Sequence, residues 1–153
     1  MNKNLLLKSA RELTQPSADS TKEFSDKLNK LVDLMDNAML KRPDINELVG
    51  EKNIDMMKDN HSNHARFMES VFVNYEPEVM VDTVLWVFRA YRSRNFSSTY
   101  WAAQLNTWIN IYKNELSENC YKEILPFYKW MQVNIPVFNT LAENDIDAPL
   151  SSH

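Results

Sequence analysis

Glycine is nearly absent from this chain, which has one, Gly50, in 153 residues. Hairpin turns and β-bulges draw on glycine for backbone conformations that other residues resist, so its scarcity argues against a β-rich fold and favours helices with short polar connections. Cysteine is as scarce. The lone Cys120 rules out an internal disulfide and a tetrathiolate metal site, and suits a reducing compartment. Long apolar runs are missing too: Leu5-Leu6-Leu7 is followed at once by Lys8, too short for a signal-peptide core, and no stretch approaches the ~20 residues of a membrane span. A cytoplasmic location with no membrane partner is the expectation. A basic excess is lacking as well. The net charge of -4 offers no electrostatic reason to bind a nucleic-acid backbone. With one glycine, neither a Gly-x-Ser-x-Gly elbow nor a dinucleotide fingerprint can exist, and no phosphate loop is present.

What is there is an ordinary globular composition, 44% apolar and 25% charged, enough for one domain with a core. Lys3 to Gln15 predicts a short amphipathic helix ended by Pro16. Ser20 to Glu23 has the form of a capping box, and Phe24, Leu28, Leu31, Met35 and Met39 then make one helical stripe ending at Lys41-Arg42 and Pro43. Pro43 to Val49 predicts a short helix capped by Gly50. From Asn53 to Tyr75 the stripe is Ile54, Met57, His61, His64, Met68, Val71, Tyr75, provided that the weak helix formers Asn60 to Asn63 do not break it. Pro77 opens a helix to Arg94 that is apolar nearly all round, the mark of a central buried element. Asn95 to Ser97 is a turn with Ser97 or Ser98 as cap. Trp101, Leu105, Trp108, Tyr112 and Leu116 follow in register, and Ser117 opens a last stretch that Pro126 and Pro136 should kink or interrupt.

These elements amount to an all-α fold in a single helical domain over residues 1–143, with residues 144–153 as a disordered polar tail. All aromatic residues except Phe24 lie between Phe67 and Phe138. The division this suggests is an aromatic-rich core over 53–141, with the helices of 1–50 as a cover, an arm or a dimerisation element.

The candidate chemistry is thin. On an unbroken helix His61 and His64 sit one turn apart, where two imidazoles can meet one metal or flank one cofactor; hydrogen-bonded core histidines are the competing reading. Together with Trp86, Trp101 and Trp108 they are the candidate cofactor-binding residues, for a flat ligand such as a haem or another tetrapyrrole, although an aromatic stripe is commonly plain core. Asp82 is either a buried acid or an outward-facing residue near a helix start. Arg89, Arg92 and Arg94 either grip an anion or cap a helix end. Cys120, near a helix start, is either an activated thiol or a structural one. No catalytic set and no metal set emerges, and a non-enzyme is expected.

The helix order carries a resemblance. A buried helix from Val79 to Arg94 leads into an aromatic helix ending Trp108-Ile109-Asn110-Ile111-Tyr112. A long stretch follows with Ile124-Leu125-Pro126-Phe127-Tyr128 and Ile135-Pro136-Val137-Phe138. Over about Asn53 to Leu141 this resembles the globin-like sensory domains of bacterial stress-signalling proteins, including the non-haem globin domains of stressosome sensors. The resemblance implies a globin-like bundle of about six helices, a homodimer and a protein signalling partner. A haem globin has a proximal histidine where Pro77 to Arg94 has none, so the non-haem type fits better. The leading expectation is a non-catalytic sensory or regulatory domain acting by self-association, with an apolar or flat ligand. The alternatives are a haem-, tetrapyrrole- or metal-binding protein using His61 and His64, and a module whose groove accepts a partner helix.

Overall fold

The computed structural model describes residues 2–97 and 99–144, which form eight α-helices with no strand among them. They are α1 (Asn2–Ala10), α2 (Ala18–Leu40), α3 (Ile45–Val49), α4 (Ile54–Val73), α5 (Pro77–Arg92), α6 (Tyr100–Glu115), α7 (Glu118–Val133) and α8 (Ile135–Asn144), with one 3-10 turn at Glu51–Asn53. The expected all-α class holds, and the expected count of about six is corrected to eight. The last stretch divides at Asn134, because Pro136 takes the first turn of α8, where its missing N–H costs no helical bond. Pro126 does not interrupt α7. It lies on the exposed side, where the carbonyl deprived of its partner is not in a dry core. The proposed tail falls, beyond Asn144, outside the described residues, as does Ser98.

Helix starts are set differently from the sequence pattern. Ser17, not Ser20, caps α2: its hydroxyl accepts from the Ser20 amide at 3.2 Å. Glu23 does not fold back on its own helix. It reaches across to α7, accepting from the Ser117 amide and hydroxyl, both at 2.7 Å. Glu123 of α7 does the same for α2, accepting from the Ser17 amide at 2.6 Å and from the hydroxyls of Ser17 and Ser20. Each glutamate lies six positions beyond its own N-cap serine, so the two helix starts clasp each other about a local two-fold. Cys120 and Ser20 face each other at the centre, the thiol donating to the Ser20 carbonyl at 3.4 Å.

α4 is continuous through Asn60 to Asn63. The polar side chains that weaken the helix locally find tertiary partners instead of competing for their own backbone. Asn60 Oδ1 accepts from Tyr100 Oη at 3.0 Å and Gln104 Nε2 at 2.6 Å, and His61 Nδ1 is 2.6 Å from Asp36 of α2. α1 stops at Ala10, short of the expected Gln15, as bonds from Glu12 to Ser9 and Leu13 to Ala10 tighten its end.

The helices pack in two layers. α2, α4, α6 and α7 form one unit around Phe24, Met35, Met68, Trp108, Tyr112 and Phe127, all buried. α5 packs on α8 and α1 to form the other. Two expectations are corrected here. α2 is a central member of the core, touching α4, α6 and α7, and no mere cover. Each of its buried apolar side chains, Phe24, Leu31, Val32, Met35 and Met39, stabilises the fold by roughly 1.5–3 kcal/mol. α5, expected at the centre, is peripheral: Val79 is 47% exposed, and Leu85, Trp86 and Val87 are half-buried. Its all-round apolar surface serves two different neighbours, the α1/α8 layer on one side and a cavity on the other.

Candidate functional site

That cavity, of about 370 Å³, lies where α5 faces α4 and α6. α4 contributes Asn60, Asn63, His64 and Phe67, at the three- and four-residue spacing that puts them on one side of a helix. From α5 come Thr83, Val84, Trp86, Val87, Phe88 and Tyr91; α6 adds Trp101, Gln104 and Leu105, and α7 adds Met131. Trp101 stacks on Phe88 with ring centroids 4.7 Å apart, and both line the cavity.

Of the five residues singled out in the sequence, His64, Trp86 and Trp101 line the cavity. His61 and Trp108 do not; they pack behind it, fully buried. Trp108 joins the two histidines, stacking on His64 at 5.3 Å and meeting His61 edge-on at 6.0 Å. The imidazoles therefore share a tryptophan.

Both rings are committed elsewhere. His64 Nε2 lies 2.7 Å from Tyr128 Oη, which lies 2.5 Å from Tyr112 Oη. One proton assignment uses both hydroxyl hydrogens: Tyr112 donates to Tyr128, and Tyr128 donates to His64 Nε2. It requires a neutral His64 with its hydrogen on Nδ1. Burial, with His61 nearby, pushes the His64 pKa down to about 3, which agrees. Burial raises both tyrosines above the ordinary phenol range, so the chain stays protonated. His61 is also lowered, because burial outweighs the Asp36 carboxylate. Its Nε2 and the Trp108 Nε1 have no hydrogen-bond partner among the described residues.

Sequence reasoning missed the buried polar pair beside the cavity, Gln104 and Asn60. Gln104 is fully buried and its Nε2 is spent on Asn60, yet its Oε1 has no partner among the described residues. A signal was present: Gln104 falls between Trp101 and Trp108 on an apolar stripe, where a polar residue needs a reason. Tyr128, midway between Ile124 and Met131, carried the same signal.

The other candidates take structural roles. Asp82 is exposed and pairs with Lys3 at 2.7 Å. Of the three arginines, Arg92 pairs with Glu143 at 3.5 Å, and Arg89 Nε is buried with no hydrogen-bond partner among the described residues. Burial, followed by the nearby Glu23 and Glu123, raises the Cys120 thiol to about 11, so it is a protonated core group and no activated nucleophile.

The cavity's donor set does not fit a haem. No histidine of α5 lines it, His64 Nε2 is taken by Tyr128, and no Lys or Arg stands among the lining residues to receive propionates. Among the described residues no group of three or more His, Cys, Asp or Glu side chains is placed to hold a metal ion, and no helix is long and apolar enough to cross a membrane. Comparison of the chain with protein-family models, with curated proteins and with solved structures gives no match.

Proposed function

We propose that this protein is a non-catalytic sensory or regulatory domain that binds a small apolar molecule in the cavity facing α5, and that a self-associated form passes the signal on. The observation that carries this reading is the cavity itself: about 370 Å³, walled mainly by aromatic and aliphatic side chains, with α5 on one side and α4 and α6 on the other. Pockets of roughly 300–1,000 Å³ with apolar walls and a few polar groups are the usual form of small-molecule sites. A ligand held between layers stabilises one arrangement of α5 against α4 and α6, and so converts occupancy into helix position.

Thermal unfolding with neutral aromatic ligands tests the binding. A ligand present at 100 times its Kd adds about 2.7 kcal/mol of stability. Val87→Phe, which fills the cavity from α5, should abolish that response while keeping the helical circular-dichroism signal. A response unchanged in Val87→Phe would place binding elsewhere. Light scattering after size exclusion tests self-association independently: a mass of 18.0 kDa, that of one chain, would remove that part of the proposal.

A further inference from the structure

We infer that the Nδ1–H of His64 is the hydrogen-bond donor of this cavity, and that the ligand is an uncharged molecule of two fused rings whose carbonyl oxygen accepts from it. The inference rests on the reading of the cavity as a ligand site and narrows it to a chemical class. It starts from the His64 ring. Trp108 stacks on that ring at 5.3 Å, and Nε2 is turned into the core, 2.7 Å from the hydroxyl of the buried Tyr128. The two nitrogens of an imidazole lie on diverging edges, so with Nε2 inward Nδ1 is directed away from Tyr128.

Nδ1 also has accessible surface. The buried side-chain polar atoms without a partner among the described residues are His61 Nε2, Arg89 Nε, Gln104 Oε1 and Trp108 Nε1. His64 Nδ1 makes no hydrogen bond to a described residue and is not one of those four, so it is not sealed in. The opening that the half-buried His64 borders is the cavity. Its proton is fixed from behind: Tyr112 donates to Tyr128 and Tyr128 to Nε2, which leaves the hydrogen on Nδ1. Held by a stacked indole and a hydrogen bond, the ring presents this N–H with little left to order when a ligand arrives.

Size and charge narrow the acceptor's carrier. A dry cavity of about 150 Å³ holds one benzene ring, and 370 Å³ is a little over twice that. The rings of Phe67, Trp86 and Trp101 are among the walls, and aromatic rings pack on one another in offset or edge-on geometries. No Asp, Glu, Lys or Arg lines the cavity. A carboxylate entering it would lose its hydration with no cation to replace it, whereas a ketone gives up far less.

The test is isothermal titration of the full chain with 1-indanone and with indane, the same two rings with C=O replaced by CH₂. His64→Phe should lower the ratio of the two affinities, indanone over indane, by at least about ten-fold. A ratio unchanged in that variant would overturn the assignment and move the donor elsewhere on the wall, with Thr83 the nearest alternative in kind. Should the variant fail to fold, nitrogen NMR of the isotope-labelled wild-type chain decides: saturating indanone should shift the His64 Nδ1–H resonance, and indane should not. An unmoved resonance with the ketone bound would overturn the donor assignment and leave the cavity as a plain apolar site. Indane-1-carboxylate extends the test, since affinity equal to that of indanone would overturn the selection against charge. Failure of both indanone and indane to bind would overturn the ligand-site reading itself.

Discussion

His64, Tyr128 and Tyr112 form a hydrogen-bonded line from the cavity wall into the core, and its middle member matters most. Tyr112→Phe removes one terminal donor and should cost about 1 kcal/mol, whereas Tyr128→Phe strands both its neighbours and should cost roughly 2–3 kcal/mol. Urea denaturation distinguishes them, and equal costs would contradict the proton assignment. The same line sets a pH dependence. A histidine whose folded pKa lies below its unfolded value of 6.5 is neutral in the fold and binds a proton on unfolding. Its contribution is whole above 6.5 and is lost as pH falls toward about 3. Stability should therefore drop between pH 7 and 5 by up to about 1.4 kcal/mol per unit from His64, and His64→Phe should flatten that slope. Apolar spacing put His64 on one helical stripe with Met57 and Met68, and in the structure it lines the cavity. The sequence could not reveal the tyrosine partner, because residues 64 apart in the chain are paired by packing and not by local spacing.

Among the elements, α2 and α7 depend on each other at their first turns. Their positive ends lie side by side, a repulsive arrangement that Glu23 and Glu123 offset. Burial alone would raise Glu23, but the Ser117 amide and hydroxyl outweigh it; at Glu123 the Ser20 hydroxyl and Ser17 amide lead, and both carboxyls sit below the ordinary 4.5. The stability they supply is present above 4.5 and is lost as pH falls through the lowered values. Glu23→Gln and Glu123→Gln should each cost about 1 kcal/mol at pH 7 and steadily less in acid, measured by urea unfolding at several pH values. A cost that does not change with pH would show that charge plays no part. The spans of α2, α3 and α6 were legible from apolar spacing and from Pro43, Gly50 and Ser117. The clasp was not, since Glu23 three residues after Ser20 imitates a local capping box. Nor was the place of α5, because an apolar surface does not say whether it meets a helix or a cavity.

For the molecule as a whole, the division into α2/α4/α6/α7 and α1/α5/α8 predicts two tiers of amide protection. α1, α5 and α8 should exchange together and faster than α2, α6 and α7, and a cavity ligand should slow α5 above all. Uniform exchange across both layers, with or without ligand, would argue against any movement between them. That the chain is all-helical could be read from its single glycine. The layering could not, because it depends on which stripes meet, and the chain's aromatic asymmetry suggested an N-terminal cover where Phe24 in fact packs between Phe72 and Tyr112. The clasp between Ser17 and Glu123 also bears on how the chain is made. The two residues are 106 apart, so a ribosome releases the start of α2 long before the group that completes it. Until α7 has emerged, the first turn of α2 lacks the carboxylate that completes it, and Phe24 and its neighbours lack the α7 part of their packing. Folding of this domain is thus an event of late translation, and a stalled chain ending before Ser117 should be cleaved readily within α2.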